Sequence, residues 1–330
     1  TGAYDVIPAL TEIDVLAAPG THACVIFGDS TVANELPRLL AARLRADGIG
    51  SVSVTQAAIK GDRLVADGVG RAAKFLGGAG VKRFRRDVLA QAGADMVLVK
   101  LGANDLIHPH CRSKQGLLTP VTFAQMTAGY RALADMAHAQ GVRIWFCELT
   151  PWKGYTRNLF GRGDDIQWSP ELDALRPELN AWFQSADCPA DGYIPLDALA
   201  DPDDPDALIA AYTTDGVHHT PAGQRALAAL IPEDIFRAPQ KEVSLRSTSV
   251  PQPQAICRAS GRSTTRATPQ RRPAPPASAG RAASTRHARP RRPRSTMGHC
   301  SCSRMMVFSL PPGASTKCRC RYMRRCRGNT

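Results

Sequence analysis

The chain has 330 residues, of which 43% are hydrophobic, and this is enough apolar material for one substantial core. No stretch reaches about 18 consecutive apolar residues, which argues against a membrane-spanning helix, and no signal peptide is visible. The formal net charge of +13 would suggest a protein that binds anions, but this charge is distributed very unevenly.

The basic residues concentrate at one end of the chain. Residues 1–236 contain 21 Lys and Arg against 28 Asp and Glu, a net charge of −7, whereas residues 237–330 contain 21 Lys and Arg against Glu242 alone, a net charge of +20. The second segment is rich in Arg, Pro, Ser and Thr and cannot bury enough apolar area to offset the entropy of ordering it. We therefore predict a lead-in segment over 1–21, a folded domain over 22–236 and a disordered basic tail over 237–330.

Short apolar runs alternate with amphipathic segments along the folded part. In chain order, the pattern predicts a strand over 23–27, a helix over 35–46, strands over 52–54 and 96–101, a helix capped by Thr122, a strand over 143–149, a helix capped by Ser169, a strand over 193–196 and a helix capped by Thr220. Apolar strands separated by helices are typical of a parallel sheet covered on both faces. The predicted fold class is therefore α/β, a three-layer sandwich around a parallel sheet of about five strands. Cys24 and Cys147 lie inside apolar runs, which predicts buried free thiols.

Three polar clusters occupy positions where an active site is expected. Gly28-Asp29-Ser30 follows the first strand of the predicted sheet, Gly102-Ala103-Asn104-Asp105 follows the third, and Asp215-Gly216-Val217-His218 precedes the last helix. Ligands of open parallel sheets bind at the carboxyl edge of the strands. Taken singly, each cluster also has an ordinary interpretation as a helix cap, a turn or an acidic loop.

The combination of the three clusters is more specific than any one of them. A serine nucleophile needs a base, and the base benefits from an orienting acid; Ser30, His218 and Asp215 fit these roles. The side-chain amide of Asn104 fits the role of a donor to a developing oxyanion. The three-residue offset from Asp215 favours His218 over His219, which we predict to be a loop or rim residue. The sequence thus predicts a serine-dependent hydrolase that needs no metal or organic cofactor.

Together with Gly61, these clusters resemble the four motif blocks of the SGNH (GDSL-type) hydrolases over roughly residues 22–232. The resemblance implies a flavodoxin-like fold and the hydrolysis of carboxylic esters. It assigns Ser30 as nucleophile, His218 as base and Asp215 as orienting acid. It also implies an oxyanion hole formed by the backbone N–H groups of Ser30 and Gly61 and by the Asn104 side chain.

The second block, residues 57–64, departs from the family pattern. Lys60 and Asp62 stand where Gly and Asn are usual, and Gln56 precedes the block in place of Asn. Because Gly61 is kept, we expect the oxyanion hole to be preserved while the bonds that support it differ. The run from Gly61 through residues 87–89 resembles one bacterial subgroup, which implies an extracellular or periplasmic location.

The substrate is not specified by these motifs. Short-chain carboxylic esters, acetylated carbohydrates and lysophospholipids all fit the same mechanism, and the sequence does not indicate an oligomeric state. The segments 106–120 and 152–168 are predicted to border the substrate pocket.

Two interpretations belong to other classes of protein. His108, His110 and Cys111 cluster behind Asn104 and would favour a metal-dependent hydrolase, although their spacing matches no standard zinc pattern. The arginines of the tail, among them Arg271-Arg272, Arg291-Arg292 and Arg324-Arg325, would attract phosphates and predict anion or nucleic-acid binding. No interleaved aromatic residues or folded binding module accompany them, so nucleic-acid binding is the weaker interpretation. The absence of G-x-S-x-G argues against a classical α/β-hydrolase.

Overall fold

A computed structural model describes residues 10–33, 35–70, 73–156, 164–237 and 318–322. In these ranges the strands are β1 (Leu10–Val15), β2 (His22–Gly28), β3 (Val52–Gln56), β4 (Ala94–Lys100), β5 (Arg143–Cys147), β6 (Gly192–Ile194), β7 (Ala200–Asp201), β8 (Asp204–Leu208) and β9 (Cys318–Tyr322). The helices are α1 (Leu36–Ala46), α2 (Ala73–Leu76), α3 (Gly80–Phe84) with a π-helical turn over Arg85–Leu89, α4 (Ala103–Ile107), α5 (Phe123–His138), α6 (Pro170–Asp173), α7 (Leu175–Phe183), α8 (Pro221–Leu230) and α9 (Asp234–Arg237).

Five of the strands form the central sheet. Their order is β3-β2-β4-β5-β6, and each neighbouring pair is parallel. The first strand of this sheet, β2, has β3 on one side and β4, β5 and β6 in succession on the other, which is the flavodoxin-like order. The predicted α/β fold class and the parallel sheet of five strands are confirmed.

Both faces of the sheet are buried. Successive side chains of a strand point to opposite faces, so each strand contributes apolar residues to both. On β2, Cys24 and Ile26 pack in a cluster with the apolar side chains of α1 and α8. Val25 and Phe27 pack in a second cluster with α5 and α7. These two clusters are the inner surfaces of a three-layer sandwich, and they account for strands that are apolar along their whole length. Cys24 and Cys147 are free and buried, as predicted.

The predicted caps start their helices. Thr122 accepts a hydrogen bond from the Gln125 N–H (3.2 Å), and the Gln125 side chain accepts one from the Thr122 N–H (2.9 Å), which completes a capping box at the start of α5. Thr220 accepts a bond from the Gly223 N–H at the start of α8. The helix predicted after Ser169 is divided at Ala174 into α6 and α7.

Other boundaries differ from the predicted ones. The strand predicted over 143–149 ends at Cys147, because the Leu149 N–H donates to the Asn180 side chain (2.9 Å) instead of to a neighbouring strand. The region between β3 and β4 contains α2, α3 and the π-helical turn, and the β7–β8 hairpin follows β6. These elements span only two to five residues each, too short to display a recognisable hydrophobic period.

The structure describes two short parts of the predicted basic tail, Arg237 at the end of α9 and residues 318–322. Strand β9 pairs antiparallel with β1 from the predicted lead-in segment. Residues 238–317 and 323–330 lie outside the described residues, and the disorder predicted for them stays a prediction. None of the helices in the described ranges combines the length and apolar character that crossing a bilayer requires.

Candidate active site

Ser30 lies in the turn that follows β2. The Asp29 carboxylate shapes this turn, because it accepts hydrogen bonds from the Thr31 N–H (2.9 Å) and the Thr31 hydroxyl (2.8 Å) and is itself buried. Gly28 precedes the turn where β2 lies against β4, and a Cβ atom at Gly28 would lie 2.4 Å from the Lys100 carbonyl oxygen. Only glycine fits between the two strands here, so the small first residue of the motif allows the serine to reach the sheet edge.

The loop before α8 brings a histidine to this serine. His218 Nε2 lies 2.9 Å from Ser30 Oγ, across a separation of 188 residues in the chain. His218 Nδ1 lies 2.8 Å from Asp215 Oδ2. The three side chains therefore form one continuous hydrogen-bonded chain from carboxylate to hydroxyl, and the structure brings together the three residues that the sequence predicted to act together.

Asp215 organises the loop as well as the imidazole. Its second oxygen, Oδ1, accepts from the backbone N–H groups of His218 (2.9 Å) and Val217 (3.1 Å). Burial by itself would raise the pKa of Asp215, but the hydrogen bonds from the His218 ring and from these backbone groups outweigh it and lower the pKa to about 2. The carboxylate is therefore ionised at every pH at which an imidazole can accept a proton.

His219 has a different environment from its neighbour. It lies in the predicted loop, but its side chain is buried rather than at the rim, and neither ring nitrogen has a hydrogen-bond partner among the described residues. Burial, with contributions from nearby Lys100 and His218, lowers the pKa of His219 to about 3. An isolated bridge between Thr213 and His219 holds the backbone here, which turns the His219 side chain into the protein while His218 faces Ser30.

The three predicted oxyanion donors lie at adjoining loops. The Asn104 Nδ2 atom donates to the Asp62 carbonyl oxygen (2.9 Å) and, over a longer distance, to Asp29 Oδ2 (3.3 Å). It thus touches the residue before Ser30 and the residue after Gly61. Among the described residues, no hydrogen-bond acceptor is found for the N–H groups of Ser30 and Gly61. These two donors are available to a ligand.

Gly61 needs its particular backbone. Its φ angle is +76°, in the left-handed region that favours glycine, and a Cβ atom would collide with the Leu76 side chain. The Asp105 carboxylate holds the next part of this loop by accepting the N–H groups of Leu64 (2.6 Å) and Val65 (3.1 Å). Asp105 is fully buried, and burial raises its pKa to about 7.

The departures in the second motif block are accommodated in two ways. Lys60 is exposed, so its charge is not buried in the core. Asp62 is fully buried and forms an ion pair with Arg83, a residue that the sequence analysis did not single out. Burial raises the pKa of Asp62 to about 7, and Arg83 opposes this shift. Nothing in the sequence indicated this pair beyond the presence of a basic residue after α2, because Arg83 lies 21 residues from Asp62 in the chain.

A lysine is buried beneath the serine turn. The Lys100 ammonium donates to the hydroxyls of Thr31 (3.1 Å) and Thr150 (3.3 Å). Burial lowers the pKa of Lys100, and the nearby Asp29 carboxylate opposes this effect. Lys100 thus links the ends of β4 and β5 to the turn that presents the serine.

Both predicted pocket-bordering segments contribute to an apolar cluster that includes Val217, the residue before His218. Tyr155 stands edge-on to the His218 ring, with the two ring centres 6.1 Å apart. Ile107, Trp152 and Val217 belong to a small apolar cluster beside it. Residues 157–163 of the predicted 152–168 segment lie outside the described residues.

The alternative metal site is not assembled in the described part of the chain. No group of three or more His, Cys, Asp or Glu side chains there is arranged to hold a metal ion. His108 lies beside Gly61, and burial lowers the pKa of His108 to about 3. Cys111 is buried, and its thiol donates to the Ile107 carbonyl oxygen.

Comparison with known proteins identifies the family of the chain. The family model described as GDSL-like Lipase/Acylhydrolase matches residues 24–231, which is more than half of the chain. No curated protein sequence matches this chain significantly.

Three solved structures are among those that are similar to this chain. A GDSL-like lipase from Bacteroides thetaiotaomicron is 17% identical with a TM-score of 0.46, over 66% of this chain and 89% of that one. An acetyl xylan esterase, AlAXEase, is 19% identical with a TM-score of 0.44, over 63% and 96%. The esterase EstA from Pseudoalteromonas sp. is 17% identical with a TM-score of 0.43, over 66% and 97%.

Proposed function

The chain belongs to the GDSL-like lipase/acylhydrolase family, which hydrolyses esters, and we propose that it cleaves carboxylic esters through an acyl-enzyme on Ser30. One observation carries this proposal: Ser30 Oγ, the His218 ring and the Asp215 carboxylate are joined by hydrogen bonds of 2.9 and 2.8 Å. A hydroxyl that is hydrogen-bonded to a base, with an acid orienting that base, is an arrangement that activates a serine for nucleophilic attack.

The first step is attack on the ester carbonyl. As the Ser30 Oγ–carbon bond forms, the hydroxyl proton moves to His218 Nε2, and the electrons of the carbonyl double bond move to its oxygen. Asp215 accepts the Nδ1–H, which fixes the tautomer that leaves Nε2 free to receive this proton. The imidazolium that forms is stabilised by a carboxylate that is already ionised.

The negative oxygen is stabilised by donors that are in place before the reaction. The N–H groups of Ser30 and Gly61 supply two of them, and Asn104 supplies the third by giving up its long contact with Asp29. Each such donor contributes about 10²–10³ to turnover in enzymes where it has been removed.

The reaction then completes in two further transfers. The carbon–oxygen bond to the alcohol breaks, and the leaving oxygen takes the proton from His218 Nε2. A water molecule next gives a proton to the same nitrogen and attacks the acyl carbon, and Ser30 leaves with that proton as the free hydroxyl. Acetylated carbohydrates and lysophospholipids are alternative substrates of the same sequence of steps, and no metal or organic cofactor takes part.

A panel of aryl esters of increasing acyl length, together with an acetylated sugar, tests this proposal. Ser30→Ala is expected to lower turnover of the best ester by at least about 10⁴-fold, because no nucleophile remains. The matched control is Ser51→Ala, an exposed serine before β3 at the opposite edge of the sheet, which should leave turnover unchanged. Most of the activity surviving in Ser30→Ala would disprove the assignment.

A further inference from the structure

A buried arginine lies beneath the two loops that carry the proposed backbone donors. Arg83, in α3, is 3% exposed, and its guanidinium donates to four different groups. These are the Asp62 carboxylate (2.6 Å from Nε), the Ala57 carbonyl (2.6 Å), the Gly28 carbonyl (3.2 Å) and the Asp87 carboxylate (3.2 Å).

Three of the four acceptors of Arg83 lie in the segments that carry the proposed backbone donors of the oxyanion hole. Gly28 ends β2, two residues before Ser30. Ala57 follows the end of β3, and Asp62 directly follows Gly61. A single planar group therefore contacts the base of both loops.

The contact between Arg83 and Asp62 is a buried ion pair. Asp62 is fully buried, so its carboxylate needs a partner, and Arg83 supplies a guanidinium that also lies 4.0 Å from the centre of the Phe27 ring. The guanidinium has five donors in a fixed plane, which is what the four acceptors require. A lysine carries the same charge as a point and cannot bridge all four groups at once.

We propose that Arg83 is a positioning residue that sets the separation of the Ser30 and Gly61 N–H groups, and that the Asp62–Arg83 ion pair is the support for the oxyanion hole in this chain. The inference rests on the proposed function of Ser30. It concerns only the positions of the Ser30 and Gly61 N–H groups. Arg83 itself is not proposed to contact the substrate, because it lies below the loops and its N–H groups donate to other protein groups.

Two variants of Arg83 distinguish an effect on the positions of the Ser30 and Gly61 N–H groups from an effect on folding. Arg83→Lys keeps a buried cation next to Asp62 but removes the planar fork. The double variant Asp62→Asn with Arg83→Met removes both charges, so that no unpaired Asp62 carboxylate is left in the core. The matched control is Arg86→Met, an exposed arginine that contacts the same Asp87 carboxylate from the solvent side.

Turnover is measured per active site, counted by titration with a fluorophosphonate that labels the serine. Both Arg83 variants should lose about 10- to 100-fold in kcat per titrated site with little change in KM, because a misplaced donor is felt only in the transition state. The affinity for a boronic acid that forms a tetrahedral adduct should fall in parallel. Arg86→Met should match the wild type in all three measurements.

Other results would overturn the inference. Folded variants with unchanged kcat per titrated site would remove the positioning role, and so would a drop confined to the number of titratable sites. Loss of the fold in both variants would assign Arg83 to stability alone. Activity that survives in Ser30→Ala would instead reject the proposed function itself, so the two failures are distinguishable.

Discussion

The two carboxylate oxygens of Asp215 bind different groups. Oδ2 faces the His218 ring, and Oδ1 holds the backbone of the same loop. Both contacts lower the pKa of Asp215, because each one favours the charged carboxylate over its protonated form. The same bonds that orient the base therefore also stabilise the folded loop.

This double role predicts a pH-dependent contribution to stability. The pKa of Asp215 is lowered from 3.8 to about 2 in the folded protein, so its contribution is present above about pH 4 and is lost as the pH falls through 2. Asp215→Asn should lower the free energy of unfolding by about 1 kcal/mol at neutral pH, after allowance for partial exposure. Urea unfolding of both proteins between pH 6 and pH 2 should show this gap closing with acid; a gap independent of pH would contradict it.

Helix caps show how an element connects to the site. Thr220 caps α8 two residues after His218, and its hydroxyl also donates to the Ala211 carbonyl (2.7 Å). Thr122 caps α5 far along the chain from the catalytic loop. The two threonines have the same local function, but only Thr220 is attached to the segment that places the base.

The comparison of these caps is a test at the level of elements. Thr122→Ala and Thr220→Ala should each lower the free energy of unfolding by about 1 kcal/mol, which is typical of a lost N-cap. Only Thr220→Ala should also lower kcat, by about 3- to 10-fold, because small displacements of a base slow proton transfer. Thermal unfolding and ester hydrolysis of the two variants provide the measurement. Equal kcat in both would show that the catalytic loop is held independently of α8.

At the scale of the whole molecule, the net positive charge and the candidate site lie in different parts of the chain. Every residue of the candidate site and both large apolar clusters lie between residues 22 and 237, whereas the tail carries the net charge of +20. We propose that residues 22–236 are the hydrolase domain and that the tail is not needed for hydrolysis. In the described part of the tail, Arg237 donates to the Asp47 carbonyl oxygen (2.7 Å), and strand β9 pairs with β1.

Shortening the chain tests this division. A protein ending at Arg237 should hydrolyse esters with the kcat and KM of the full chain. Retention on immobilised DNA at low salt should be greater for the full chain and should fall steeply as salt is added, because released counterions drive such binding. A shortened protein that folds but has lost its activity would place part of the tail in the working enzyme.

The sequence by itself determined the main elements and the residues of the candidate site. Hydrophobic period located the five strands of the sheet and the long helices, because burial on two faces demands apolar residues in a regular pattern. Motif order located Ser30, Asn104 and the Asp215–His218 pair, because strand ends in a parallel sheet meet at one edge. These features are local, and local chemistry can be read along the chain.

The tertiary structure decided the contacts between residues far apart in the chain. Nothing near Arg83 in the sequence indicates that it bonds Asp62, Ala57 and Gly28. The same holds for the burial of His219 and for Lys100 beneath the serine turn. A buried polar group is stable only where distant segments supply its partners, so its role depends on packing that no local pattern records.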